Sequence, residues 1–485
     1  MSHHLALDLG AESGRAILGK LENDLLELRE IHRFANMPVQ LPSGLHWDVL
    51  YLWREIQTGI ALAAAYSPLN SLGLDTWGVD FALLDRRGEL LANPHHYRDP
   101  RTNGMMEEAF RRVPREQIFA QTGAQFLQIN TLYQLLALAR QKSPLLDTAQ
   151  TFLTIPDLFN YWLSGEICAE FTNATTTQCL NPIHREWAFS LLEALDIPTR
   201  LLPRICQPGT ILGTLRPAVS ATTQAGSVPV IAPACHDTGS AVVAIPAESA
   251  DFAWISSGTW SIMGVEITNP CLDERALLCN FTNEGGVENT WRLSKNIMGL
   301  WLVQECKRVW DISYDEITHL AAQAQPFLAV IDPDAPIFFS PGDMPHKISA
   351  FCAESGQPAP QTRGEIVRVV LESLALKYRY TLEQLRTLTG KPLETIHIIG
   401  GGTKNRLLNQ LTANCTGCTV ITGPVEATAA GNLLMQAIAQ GHLDSLAQAR
   451  SIVRRSFKLE TYQPAGRDGW DAAYEKLLSL LKDSA

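Results

Sequence analysis

Leu5-Ala-Leu-Asp-Leu-Gly-Ala-Glu-Ser-Gly-Arg-Ala-Ile-Leu18 reads as an apolar strand, a tight polar glycine turn and a second apolar strand. The other half of the chain writes the plan again, as Ala253-Trp-Ile-Ser-Ser-Gly-Thr-Trp-Ser-Ile-Met-Gly-Val265. Hairpins of this kind expose backbone N–H groups and small hydroxyls at the turn, a good cradle for phosphate oxygens. Two such cradles on two related domains suit a nucleotide whose terminal phosphate is handed to something held between them. The repetition points to phosphoryl transfer.

Working outward, three strand-like segments (Leu5–Gly10, Arg15–Leu21, Leu28–Phe34) are followed by helical periodicity over 48–66. Leu72–Thr76 and Val79–Leu84 read as a further strand pair, and 105–205 as mostly helical. Val228–Ala232 reads as a short buried strand ending in Pro233-Ala-Cys-His-Asp-Thr-Gly239. After the second hairpin come a strand near Trp291–Leu293 and a helix from about Met298. The clearest helix is Ile366–Leu388, whose apolar positions step by three and four before Gly390-Lys-Pro392. Thr395–Ile399, Gly400–Asn405, Arg406–Asn414 and Thr419–Thr422 then form a βαβ-like unit with glycines at the strand-to-helix turn, and 470–481 closes the chain as a helix. Strands mixed with helices predict an α/β fold. At 485 residues the chain exceeds one core, so two domains are expected, 1–245 and 246–485, changing near Ile245–Asp251.

Composition excludes several classes. The hydrophobic fraction is 46%, the charged fraction 18% and the net charge −11, with no basic cluster beyond short pairs, which argues against nucleic acid and anionic membranes. No apolar run reaches the ~18 residues a bilayer span needs. The N-terminus does not read as a signal peptide. Ten scattered cysteines suit reduced thiols and a cytoplasmic setting. Only Cys415 and Cys418 form a C-x-x-C; zinc and plain thiols are both readings of that pair.

Asp8 ends a buried strand beside a donor-rich turn, a place to organise Mg²⁺ through water; a plain hairpin with a solvated carboxylate is the alternative. Ser256–Ser261 offers hydroxyls and N–H groups but no carboxylate, which fits an outer phosphate. Asp237, after a short strand, suits a base taking the proton from a hydroxyl that attacks phosphorus, with His236 hydrogen-bonding a sugar. Asp before Thr-Gly is also good helix-capping chemistry, and the two roles are compatible. Gly400–Asn405 is not a dinucleotide fingerprint, because Asn405 replaces the last glycine and no acid ends Thr419–Thr422.

Asp75-Thr-Trp-Gly-Val-Asp-Phe81, Tyr97-Arg-Asp-Pro-Arg-Thr-Asn-Gly104, Phe171-Thr-Asn-Ala-Thr-Thr-Thr-Gln178, Ser256–Ser261, Thr282-Asn-Glu-Gly-Gly286, Lys295–Trp301 and Gly423–Thr428 are long unusual strings. In this order they resemble the FGGY carbohydrate kinases, over essentially the whole chain. The resemblance implies two actin-like ATPase (ribonuclease H-like) domains, each a mixed five-stranded-type sheet flanked by helices, with an interdomain cleft. It implies MgATP as phosphoryl donor and a small ketose as acceptor, L-rhamnulose at its 1-hydroxyl, with L-fuculose or L-xylulose as alternatives. Ala11, Glu12, Ser13, Gly14, Arg15, Thr259, Gln304 and Gly402 would meet ATP. Gly78, His236, Asp237, Thr238 and Asn296 would meet the sugar, Asp237 would accept the proton, and Asp8 would lie near the metal. Glu12 stands where close relatives often carry a small residue, so a carboxylate would sit near phosphate. No disulfide is expected. Trp77, Phe81 and Phe126 are candidates for an apolar patch under the sugar methyl. A monomer or small homo-oligomer is expected. The competing class, a nucleotide-gated binding protein of the Hsp70 or actin type, would need a further domain beyond the last nucleotide motif.

Overall fold

The computed structural model describes residues 1–483 and divides by internal contacts into two compact units. The first comprises Met1–Ala244, Glu266–Leu293 and Ala427–Ser456; the second comprises Ile245–Val265, Ser294–Glu426 and Phe457–Ala485. The chain first passes from one unit to the other between Ala244 and Ile245, and passes between them again further on. Two later segments, Glu266–Leu293 and Ala427–Ser456, return to the first unit.

The first unit is built on a six-stranded mixed sheet, ordered Thr210–Thr214, Pro229–Ala232, Ser71–Thr76, Ser2–Leu9, Ser13–Glu22, Leu25–Ala35. Ser2–Leu9 pairs antiparallel with Ser13–Glu22 and parallel with Ser71–Thr76, which in turn runs parallel to Pro229–Ala232. The period-two alternation covers both faces. Leu7 lies on the side of helix Val49–Tyr66, where Gly59 approaches it; Gly73, one register step away, faces Asn432 and Gln436 of helix Ala427–Ala439. Leu5, Leu7 and Leu9 are fully buried, each contributing about 2 kcal/mol by removal from water. Asp48 caps Val49–Tyr66, its side chain accepting from the Tyr51 N–H. Phe81–Leu84 does not pair with Ser71–Thr76 as the sequence suggests. It joins Thr151–Thr154 instead, because the chain turns at Gly78-Val79.

In the second unit Trp260–Ile267, Phe252–Ser257, Thr395–Ile399, Thr419–Thr422 and Glu460–Tyr462 lie side by side in that order. The hairpin is antiparallel, and Phe252–Ser257, Thr395–Ile399 and Thr419–Thr422 run parallel. The predicted long helix spans Arg363–Thr389. Thr362 and Glu365 form a capping box at its start, and Gly390 (φ +68°) closes it in the left-handed conformation. It packs against Tyr314–Gln323 and Arg406–Thr416. No described helix is long and apolar enough to cross a membrane.

Candidate active site

The parallel strands of the first unit end in acids. Asp8 pairs with Asp75 in the register of neighbouring strands, and Thr76 bridges to His236, which lies beyond the end of strand Pro229–Ala232. Open α/β sheets bind ligands at such carboxyl ends. Arg15, from the far side of the turn, donates from Nη2 to Asp8 Oδ2 at 2.6 Å. Asn432 donates to Asp75 Oδ2 at 2.5 Å, while Asp75 Oδ1 is buried without a hydrogen-bond partner. Burial first, then the Asp8 carboxylate, push the Asp75 carboxyl well above its ordinary range. Two carboxylic acids share this spot, and further positive charge there would relieve it. Sequence reasoning left Asp75 without a role.

Asp237 opens helix Asp237–Val243, with His236 as the N-cap residue and no side-chain cap bond. Asp237 Oδ1 accepts from the Thr238 N–H and hydroxyl at 2.5 and 3.0 Å, and Oδ2 takes no hydrogen bond among the described residues. The side chain is 32% exposed. His236 Nε2 lies 3.3 Å from Asp237 Oδ1, and Nδ1 lies 3.3 Å from Glu284 Oε2. Arg292, fully buried, completes the cluster at 3.1 Å from Glu284. The strand end is held from behind by Glu170, which accepts the N–H groups of Thr172, Asn173 and Cys235 and the Thr172 hydroxyl. Glu170 and Arg292 are not named by the sequence reading, and Glu284 enters it only inside the string Thr282-Asn-Glu-Gly-Gly286, without a role. The available signal was a charge set inside an apolar or small-residue run, as Arg292 is between Trp291 and Leu293.

Gly78 packs against the short helix Thr175–Thr177. A Cβ there would lie 2.8 Å from Thr176 Oγ1, so only glycine fits. The next residue, Val79, holds φ +68°, a costly conformation for a β-branched side chain. Its N–H donates to Thr176 Oγ1, and its carbonyl accepts from Thr131 Oγ1 and Gln134 Nε2. Asp80 follows, fully buried, accepting from the Trp47 and Trp77 indoles on Oδ2 and from Gln134 on Oδ1. Burial lifts its carboxyl to about 6 against these three donors. The expected methyl-holding patch is not gathered by ring contacts. Trp77 lies tilted against Trp47, Phe81 stacks on Phe152, and Phe126 lies with Phe110 and Phe119. In the first turn Ala11, Ser13 and Arg15 are half-buried, Gly14 buried and Glu12 exposed.

The second unit collects the remaining candidates about its own turn. The Gly258 and Thr259 carbonyls accept from the Leu300 and Trp301 N–H groups, which seats on the turn the helix Trp301–Trp310 that carries Gln304. Gly402, in the short helix Gly401–Lys404, lies so close to Ser257 that a Cβ would stand 1.9 Å from its hydroxyl. Asn296 is half-buried on strand Trp291–Met298. The end of that strand is pinned by the Met298 N–H donating to Asp334 at 2.6 Å, and Lys377 bridges Asp332 and Asp334. The C-x-x-C thiols are buried: Cys418 is 3.2 Å from Arg386 Nη2, and burial pushes the Cys415 thiol up.

The family model for the N-terminal domain of the FGGY carbohydrate kinases matches residues 3–244, and that for the C-terminal domain matches 253–440. The chain belongs to the FGGY family of carbohydrate kinases. With membership come ATP as co-substrate, a divalent metal and a small sugar as acceptor. A protein named rhamnulokinase from Bacteroides thetaiotaomicron is 45% identical over 97% of this chain and 97% of its own. Another of that name from Oceanobacillus iheyensis is 43% identical over 96% of this chain and 99% of its own. Among solved structures, a ligand-bound xylulose kinase from Lactobacillus acidophilus superposes at a TM-score of 0.83 with 18% identity, covering 100% of this chain and 98% of its own. Plasmodium falciparum glycerol kinase with ADP gives 0.78 at 16%, covering 100% and 97%. These two likenesses show the fold, the two-domain kinase fold with mixed sheets and flanking helices.

Proposed function

We propose that the chain transfers the γ-phosphoryl group of MgATP to the 1-hydroxyl of L-rhamnulose, giving L-rhamnulose 1-phosphate and ADP. The observation that carries the chemistry is the state of Asp237. One carboxylate oxygen is held by Thr238, and the other is unengaged at the end of the sheet. As the sugar oxygen attacks phosphorus, Asp237 takes its proton; the bond to the bridging oxygen breaks and its electrons leave with ADP. Full-length relatives named rhamnulokinase support the choice of sugar. Gly78, His236 and Thr238 are assigned to the ketose, with Asn296 reaching sugar or nucleotide. Ala11 to Arg15, Thr259, Gln304 and Gly402 are assigned to ATP.

Among the described residues no three metal-ligating side chains come together, so the protein builds no cage. The orphaned Asp75 Oδ1 beside Asp8 nevertheless fits a hard cation that takes most of its ligands from phosphates and water, as Mg²⁺ does. Asp8 would hold it, through water, and the ion would neutralise charge on the transferred group. The reaction is assigned to the cytoplasm, and the enzyme to a monomer or small homo-oligomer.

ADP release measured with L-rhamnulose, L-fuculose, L-xylulose and no sugar tests the reading. A kcat/KM for L-rhamnulose at least about tenfold above L-xylulose is expected, since L-xylulose lacks the methyl and a methyl-holding contact is worth ~1–3 kcal/mol; L-fuculose keeps the methyl and should fall below L-rhamnulose through the configuration of its hydroxyls. Turnover without sugar, or preference for another ketose, would overturn the substrate assignment.

A further inference from the structure

His236 is enclosed by charge. Arg292 Nη2 lies 3.2 Å from His236 Nδ1 in hydrogen-bonding geometry, and Arg292 Nε donates to the Gly285 carbonyl at 2.9 Å, which fixes the guanidinium plane. A guanidinium can only donate. Nδ1 therefore accepts, and the proton of the neutral ring sits on Nε2, the nitrogen 3.3 Å from Asp237 Oδ1. Glu284 supplies the counter-charge: 8% exposed, it lies 3.1 Å from Arg292 and 3.3 Å from His236 Nδ1. Burial works against its ionisation, but the Arg292 guanidinium outweighs this and keeps its carboxyl below the usual range. Among the described residues the titratable groups against the ring are thus Asp237 on one side and Glu284 and Arg292 on the other.

We propose that Glu284 and Arg292 are positioning residues for phosphoryl transfer, fixing the tautomer and orientation of His236 so that it holds Asp237 Oδ1 and leaves Oδ2 to receive the substrate proton. This rests on the reading of Asp237 as the base. A base whose orienting partner presents the wrong tautomer works far less well even when the geometry is kept. Glu284 leaves Arg292 uncompensated if removed, and Arg292 leaves His236 free to take its proton on Nδ1.

Steady-state kinetics of Glu284→Gln, Arg292→Lys and Asp237→Asn, with the double variant Glu284→Gln/Asp237→Asn and melting curves, test it. Glu284→Gln and Arg292→Lys should each lower kcat about tenfold or more per folded molecule, a part of what general base catalysis supplies, with the KM for ATP little changed. Their acidic kcat limb should shift relative to wild type, which a structural role alone would not do. Added to Asp237→Asn, Glu284→Gln should cost less than about twofold, because it acts through a residue already removed. Should Glu284→Gln melt below the assay temperature, Glu284→Gln/Arg292→Gln removes both charges together, leaves neither unpaired, and should show the same loss. Wild-type kcat and pH profile in these variants, or a full additive loss in the double, would overturn the positioning role. Retained activity in Asp237→Asn would instead overturn the base assignment on which it rests.

Discussion

The two hairpins share a backbone plan and differ in charge. In the first, Asp8 ends its strand opposite Asp75, and Arg15 crosses the turn to it. In the second, the matching position is Ser256, and its parallel partner is Ile399. Where the first copy sets two buried acids against a half-buried guanidinium, the second offers hydroxyls, backbone and the close approach of Gly402. On the proposed reading the first copy manages a metal, and the second seats phosphate without repelling it. The fold was repeated and the chemistry was not.

Substitutions at the matched positions break or sharpen this contrast. Asp8→Ala should lower metal-dependent kcat by about 10²–10³-fold, the scale of losing transition-state charge stabilisation. Ser256→Ala should cost less than about tenfold, the worth of one neutral hydrogen bond. Titrating Mg²⁺ against rate in both variants checks the pair, and equal losses would erase the distinction. Next comes Gly402→Ala, which forces Ser257 aside at a cost of roughly 1–3 kcal/mol. Its KM for ATP should rise about tenfold with the ketose KM unchanged, and a ketose effect would misplace Gly402.

The smallest effect belongs to Asp75→Asn. The folded Asp75 pKa lies above the ordinary 3.8, so its contribution to stability is full below that value and is lost as pH rises through the folded value. Melting temperature against pH should therefore fall less steeply on the alkaline side in Asp75→Asn than in wild type. Parallel curves would mean that Asp75 does not carry the shift.

Much of this was legible in the sequence because it is local. The hairpins, the strand before Asp237, the long helix with its cap and glycine stop, and the glycine turn after Thr395–Ile399 all depend on neighbours a few positions away. What could not be read depends on distant pairing. Asn432 reaches Asp75 across 357 positions, and Arg292 reaches His236 across 56. Periodicity marks a segment as a buried helix or strand without naming the sheet that buries it, so the return of 266–293 and 427–456 to the first unit left no local trace. Val79 at positive φ was equally silent, since a β-branched residue argues against the very turn it makes.

The most direct test of the central claim is the kcat of Asp237→Asn, set beside binding of ATP and ketose measured by calorimetry. A fall of about 10²–10⁴-fold in kcat with both affinities nearly unchanged is the predicted result. A kcat within tenfold of wild type would contradict the account.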